Sequence, residues 1–192
     1  MREQKNWYEY LWIATILYLV LGLFNIVFAW LGLICFLVPL FMSFTKMNKS
    51  YCNRYCGRGQ LLELLGRKLS RKKPMPIFLK SKWFRYGFLI FFMSMFINMV
   101  FVTTLVFRNL TSLKEVITLF WTFKLPWTIA SVNGITPWVL QFAFGFYSMM
   151  LTSTLLGIIT MVLYKPRSWC VYCPMGTMTQ GICLIKERTG IS

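Results

Sequence analysis

Long apolar stretches alternate with more polar segments along the chain. A helix needs roughly 20 apolar residues to cross a bilayer, and the later stretches are close to that length. The first apolar region, from Tyr8 to Phe44, is longer and carries no charge after Glu9. One straight helix of about 36 residues would measure ~54 Å, against ~30 Å of hydrocarbon. We therefore interpret this region as a hairpin of two spans that turns near Gly22–Asn25, with a single tilted or broken span as the alternative.

The pattern predicts an all-α fold, a polytopic membrane helical bundle in a single membrane domain over residues 1–192. About four transmembrane helices are expected, at residues 8–24, 26–44, 84–107 and 138–164. A basic loop, 46–83, and a second loop, 108–136, connect them.

The second loop contains one further helix signal. Ser112-Leu-Lys-Glu115 fits a capping box, which predicts a short helix from Leu113 to about Phe123. Such a helix would serve as a lid or a quinone-contact surface, or more simply as a packing element that shields the ends of the spans.

Composition agrees with membrane residence. Hydrophobic residues make up 57% of the chain and charged residues 14%, whereas about 25% of a typical soluble domain is charged. The chain contains no histidine, which excludes a bis-His haem, His-ligated copper and a histidine general base within it. Six cysteines remain as candidates for metal or redox chemistry.

Basic residues are distributed unevenly between the two sides that a four-span topology defines. The loop from Lys46 to Arg85 carries twelve of the 21 Lys and Arg residues, the segments at the two ends carry six, and the second loop carries three. The positive-inside rule then places the basic loop and both termini in the cytoplasm, and we expect an inner bacterial membrane. Anionic lipid or an acidic electron carrier is the expected partner of this face, and nucleic acid is not.

Two stretches share one pattern of aromatic residue, cysteine, spacer, Tyr-Cys and a following glycine. They are YCNRYCGRG at 51–59 and WCVYCPMGT at 169–177. Both follow a predicted membrane exit and precede a helical pattern, which indicates a degenerate internal repeat with two cytoplasmic cysteine turns. Brought together, they offer four thiolates, the set that a [4Fe–4S] cluster or a structural zinc ion takes: Cys52, Cys56, Cys170 and Cys173. A thiol–disulfide redox pair is a third alternative.

The residues around the cysteines favour a negatively charged cofactor. Gly59 and Gly176 allow backbone N–H groups to turn toward sulfur, and each turn leads into a helix N-terminus, whose dipole stabilises negative charge. Arg54, Arg58 and Arg167 would offset part of a cluster's charge.

The other two cysteines have simpler interpretations. Cys35 stands mid-span among apolar residues and is predicted to be a small buried side chain. Cys183, ten residues after Cys173, is either structural or a spare ligand near the site.

Cysteine followed directly by proline, as at Cys173-Pro174, is typical of ferredoxin ligand runs. With the paired turns, the chain resembles the membrane-bound 4Fe-4S binding family that includes the NapH and NosR type polyferredoxins. The resemblance implies that Cys52, Cys56, Cys170 and Cys173 are cluster ligands. Two departures stand out: Gly57 occupies a position where the family usually has proline, and the second motif has two residues between its cysteines.

The sequence thus predicts an integral membrane iron–sulfur protein that exchanges electrons at the cytoplasmic face. Because it lacks the soluble ferredoxin domain of larger relatives, it would need a redox partner, and whether it is an enzyme stays open. The alternatives are a quinone-linked thiol–disulfide oxidoreductase and a metal-stabilised scaffold for cofactor assembly.

Overall fold

The computed structural model describes residues 10–45, 55–114, 116–119, 123–126 and 134–189. Its α-helices are α1 (Leu11–Phe24), α2 (Leu31–Thr45), α3 (Gly57–Leu69), α4 (Ile77–Lys80), α5 (Lys82–Phe107), α6 (Pro137–Leu163), α7 (Ser168–Tyr172) and α8 (Pro174–Thr189). A 3₁₀ helix, Ile26–Trp30, leads into α2, and two short strands, β1 (Val116–Leu119) and β2 (Phe123–Pro126), lie between α5 and α6. The prediction of an all-α membrane class is confirmed.

Within the described residues, three helical segments are long and apolar enough to cross a membrane. They are Ile26–Ser43, α5 and α6. Helix α1 is equally apolar but has 14 residues, so at 1.5 Å per residue it measures only ~21 Å. A crossing by α1, and with it the four-span topology, stays a prediction.

The break inside the first apolar region lies at Asn25. Its side-chain oxygen accepts a hydrogen bond from the Val27 amide at 3.1 Å and so caps the 3₁₀ helix. Tyr18 and Gly32 lie at equal distances in sequence before and after this break, and a Cβ at Gly32 would stand 2.5 Å from the Tyr18 hydroxyl. Chain segments that meet symmetrically about a break run antiparallel, as in the hairpin interpretation.

The chain folds as two compact units. The cysteine unit comprises Met1–Ile16, Phe36–Leu89 and Leu156–Ser192, and the hairpin unit comprises Leu17–Cys35 and Ile90–Leu155. The core of the hairpin unit is apolar and includes Ile26, Ala29, Ile117, Leu140, Ala143, Phe144 and Tyr147. Gly22 is required at its position because a Cβ there would lie 2.8 Å from a ring carbon of Tyr147.

The predicted helix from Leu113 to Phe123 is wrong, because this segment forms an antiparallel β-hairpin. Val116 pairs with Pro126, and Leu119 with Phe123. The first strand reads Val-Ile-Thr, and β-branched side chains favour extended backbone over helix. Ile117 is buried in the core of the hairpin unit, and the Thr118 amide donates to Ser148 Oγ at 3.0 Å. This packing supports the simpler role, a packing element.

Cys35 is exposed on α2, so the prediction that it is buried is wrong. In a bilayer an apolar side chain is equally well solvated by lipid tails and by other side chains. An apolar sequence context therefore cannot tell whether a residue on a spanning helix faces protein or lipid.

Candidate metal centre

Three of the four predicted ligands, Cys56, Cys170 and Cys173, lie in the cysteine unit. Cys52 and its neighbour Arg54 lie outside the described residues. The described site is therefore built from the end of the first turn, the whole second turn and the helices that follow them.

Cys56 stands directly before α3 and caps it. Its Sγ accepts a hydrogen bond from the Gly59 amide at 3.4 Å, and its carbonyl accepts one from the Gln60 amide at 3.1 Å. A thiol sulfur at an N-cap takes over one of the amides that a helix end leaves without a partner. The N-terminus of α3 therefore holds the Cys56 sulfur in place, as the Cys-x-x-Gly spacing predicts.

The second turn carries Cys170 and Cys173 on and just after the one-turn helix α7. Arg167 enters this helix in the left-handed region with φ 62°, and its carbonyl accepts the Cys170 amide at 3.0 Å. Cys173 stands directly before α8, and its carbonyl accepts the Thr177 amide at 2.9 Å. Pro174 occupies the first position of α8, where a missing N–H costs nothing. Both turns thus place a cysteine at the start of a longer helix.

The two turns meet at Gly59. A Cβ added to Gly59 would lie 3.6 Å from Cys56 Sγ and 3.6 Å from Cys170 Sγ. Both sulfurs are therefore within van der Waals reach of one point, although they come from opposite halves of the sequence. A side chain at position 59 would therefore contact both sulfurs at ordinary van der Waals distance. A Cβ at Gly176 would make only ordinary contacts, 3.7 Å from the Cys170 carbonyl oxygen, so that position does not require glycine.

The electrostatics of Cys56 show the same proximity. Burial raises the pKa of the Cys56 thiol to about 12, and negative charge at Cys173 and Cys170 contributes to the increase. The Gly59 amide and the Arg58 guanidinium lower the pKa but do not offset the burial. Without a cation the thiol stays protonated at neutral pH, so metal binding here releases a proton.

Aromatic side chains anchor the second turn. Trp169 and Tyr172, each directly before a cysteine, are buried in a cluster with Leu62 and Met161. Phe88 meets Trp169 edge-on at 5.7 Å and Tyr172 at 5.3 Å. Edge-to-face pairs of this kind stabilise beyond the burial of area. The aromatic–cysteine pairs of the motif therefore have a physical basis, since the aromatic residue fixes the turn and the cysteine is left half-buried beside it.

Helix α3 is held against the second turn by an ion pair that the sequence did not suggest. Arg167 Nη2 lies 2.6 Å from Glu63 Oε2, and Arg67 Nη2 lies 3.3 Å from Glu63 Oε1. Arg167 was predicted to offset cofactor charge, whereas in the structure its partner is Glu63. A signal was present: Glu63 is the one acidic residue between positions 10 and 114, in the most basic part of the chain.

The two partners of Glu63 can be compared in a double-mutant cycle. We expect Glu63→Gln and Arg167→Gln to couple by about 0.5–1 kcal/mol, the upper range for partly exposed pairs. Glu63→Gln with Arg67→Gln is the matched control, and it should couple less because the Arg67 side chain is 75% exposed. Thermal unfolding of the purified variants measures both, and equal coupling energies would contradict the distinction.

Cys183 has its own contact on α8. Its Sγ lies 3.7 Å from Ser43 Oγ of α2, and the same hydroxyl donates to the Thr179 carbonyl at 3.2 Å. This contact supports a structural role for Cys183, in joining α8 to α2.

The described residues fit a thiolate-bound cofactor in part. Two sulfurs lie within contact distance of one point at Gly59, negative charge at Cys173 raises the pKa of Cys56, and two helix N-termini supply positive dipole ends. Among the residues that the structure describes, no three Cys, Asp, Glu or His side chains stand close enough to hold a metal ion by themselves. The fit to a four-thiolate set thus needs Cys52, which lies beyond the described part.

Comparison with known proteins gives one match. Residues 28–76 and 148–192, just under half of the chain, match the family described as 4Fe-4S binding domain. Each matched segment contains all or part of an apolar helix, one cysteine turn and the helix that follows. The match supports an iron–sulfur binding family. No curated protein and no solved structure matches the chain.

Proposed function

We propose that this chain is a membrane electron-transfer subunit that binds a [4Fe–4S] cluster through Cys52, Cys56, Cys170 and Cys173. One observation carries the proposal: the sulfurs of Cys56 and Cys170 meet at Gly59, and each comes from a segment that matches a 4Fe-4S binding domain. A helix that is long and apolar enough to cross a membrane comes before each turn, Ile26–Ser43 before the first and α6 before the second, which agrees with residence in a membrane.

When bound, such a cluster supplies one-electron transfer at a potential that its surroundings set. The chain's own residues do the rest. Thiolates hold the group, the Gly59 amide donates to one sulfur, and the starts of α3 and α8 favour negative charge. The buried Trp169 and Tyr172 exclude water from one side of the turn. Exclusion of water and hydrogen bonds to sulfur are the two factors by which a protein tunes cluster potential.

We further propose that the site faces the cytoplasm of a bacterial cell and exchanges electrons with an acidic soluble carrier. The excess of basic residues on the side of the cysteine turns supports this orientation. Arg67, Lys68 and Arg71 are exposed at the end of α3 and the start of the connection that follows it, and positive charge there would speed the encounter with a negative partner.

The proposal is tested by metal and sulfide analysis of protein purified without oxygen. We expect about four iron and four sulfide per chain, and an EPR signal that appears or disappears on reduction. Zinc without iron would instead favour a structural metal site and a scaffold role. A protein that stays colourless and EPR-silent after treatment with iron and sulfide would refute the proposal, and a reversible Cys170–Cys173 disulfide would then favour thiol–disulfide exchange.

A further inference from the structure

We propose that residues 72–83, here called the surface segment, form an in-plane anchor that binds the headgroups of anionic phospholipids. Three bulky side chains are the first observation: Ile77 and Trp83 are each 87% exposed, and Phe78 is 68% exposed. Ile77 and Phe78 lie outside the spanning helices and Trp83 lies in the first turn of α5, and exposed apolar groups at these places need an apolar surrounding because contact with water is unfavourable.

The position of the surface segment follows from chain continuity. Helix α5 begins at Lys82 and is one of the helices that can cross a membrane. The segment runs into the first turn of this helix without a break, since the Ser81 amide donates to the Phe78 carbonyl at 3.0 Å and the Arg85 amide to the Ser81 carbonyl at 3.2 Å. It therefore lies where the hydrocarbon of the bilayer meets the headgroups.

Some side chains of the surface segment pack on the protein, and others are exposed. Met75 is 8% exposed, and Met75 and Leu79 pack in the cluster that contains Trp169 and Leu62. Ile77 and the greater part of Phe78 remain outside this cluster. This is the arrangement of an interfacial element with one side on protein and the other on lipid.

Four exposed lysines flank the apolar side chains, at positions 72, 73, 80 and 82. The sequence holds no acidic residue between Glu63 and Glu115, so nothing in the segment neutralises them. Lysines beside inserted aromatic and aliphatic groups are suited to lipid phosphates. An acidic protein would account for the lysines alone, whereas anionic lipid accounts for the lysines, Ile77 and Trp83 together. Because Met75 and Leu79 pack beside Trp169, the anchor would tie the second cysteine turn to the membrane surface.

The charge contribution is tested by native mass spectrometry of the full chain released from mixed phosphatidylglycerol and phosphatidylcholine. We expect the wild type to retain phosphatidylglycerol preferentially. Replacing the four lysines by Gln should reduce this retention several-fold, while the control Arg67→Gln/Lys68→Gln, which removes exposed charge from α3, should not. Equal retention of the two lipids by the wild type, or an unchanged preference in the four-lysine variant, would overturn the proposal.

The apolar contribution is tested separately by fluorescence in vesicles. Phosphatidylglycerol brominated near the headgroup should quench part of the tryptophan emission, and Trp83→Phe should remove a quenched part. If the emission lost in Trp83→Phe is unquenched, Trp83 is not inserted and the anchor is refuted. A four-lysine variant that loses binding to an acidic carrier protein, yet retains phosphatidylglycerol, would assign the surface to that protein instead. Neither measurement depends on the presence of a cluster.

Discussion

The Cys56→Ser variant, purified without oxygen, is expected to lose the iron, the sulfide and the visible colour that the wild-type chain carries. The Cys56 sulfur and the Cys170 sulfur each lie 3.6 Å from one point at Gly59, so we expect a cluster bound there to need both as ligands. Serine has nearly the same shape but offers a hard oxygen in place of a soft thiolate, which iron–sulfur clusters require. We expect the same loss for Cys170→Ser and Cys173→Ser, and for Cys52→Ser if the fourth ligand is as proposed.

The chain supplies matched controls for this result. Cys35→Ser changes a cysteine that is exposed on α2, and Cys183→Ser changes one that contacts Ser43. Both should retain iron and sulfide at the wild-type level. Iron content and EPR amplitude per chain are the measurements. Loss of iron in Cys35→Ser, or full iron in Cys56→Ser, would show that the cysteine turns are not the site.

The cysteine turns could be read from the sequence because their signal is local. In the second turn the aromatic residue directly before each cysteine, Trp169 or Tyr172, packs into the core, and each turn leads into a helix. These are short-range relations that a repeat of nine or ten residues displays twice. The membrane class was predictable for a similar reason, since a bilayer imposes length and apolarity on every span.

Contacts between distant segments could not be read in this way. The pair Glu63–Arg167 joins residues of α3 and the second turn, and no pattern along the chain places them together. The β-hairpin was missed because Ser112 to Glu115 imitates a helix start, while the strand preference of Val116 to Thr118 and the burial of Ile117 decide the structure. Tertiary packing overrides a capping signal worth about 1 kcal/mol.

Gly57 illustrates how a departure from a family pattern acquires a physical reason. A Cβ at this position would overlap the Leu11 carbonyl oxygen and stand 2.6 Å from Thr15 Oγ1. Proline has a Cβ as well, so it would meet the same obstacle despite its preference for the first position of a helix. The close approach of α3 to the first residues of α1, which lie with it in the cysteine unit, therefore requires glycine directly after Cys56.

We accordingly expect Gly57→Ala to lower both thermal stability and iron content. The obstacle is backbone and cannot rotate away, so the first turn of α3 must move and carry Cys56 away from Cys170. Overpacking of this kind costs about 1–3 kcal/mol. Gly87→Ala in α5 and Gly181→Ala in α8 are the controls, because a Cβ at either meets nothing within 4 Å. These two should be neutral or stabilising, by up to about 1 kcal/mol, since alanine favours helix over glycine. Melting temperature and iron per chain distinguish the three variants, and a Gly57→Ala protein with wild-type values of both would mean that α1 does not contact the start of α3.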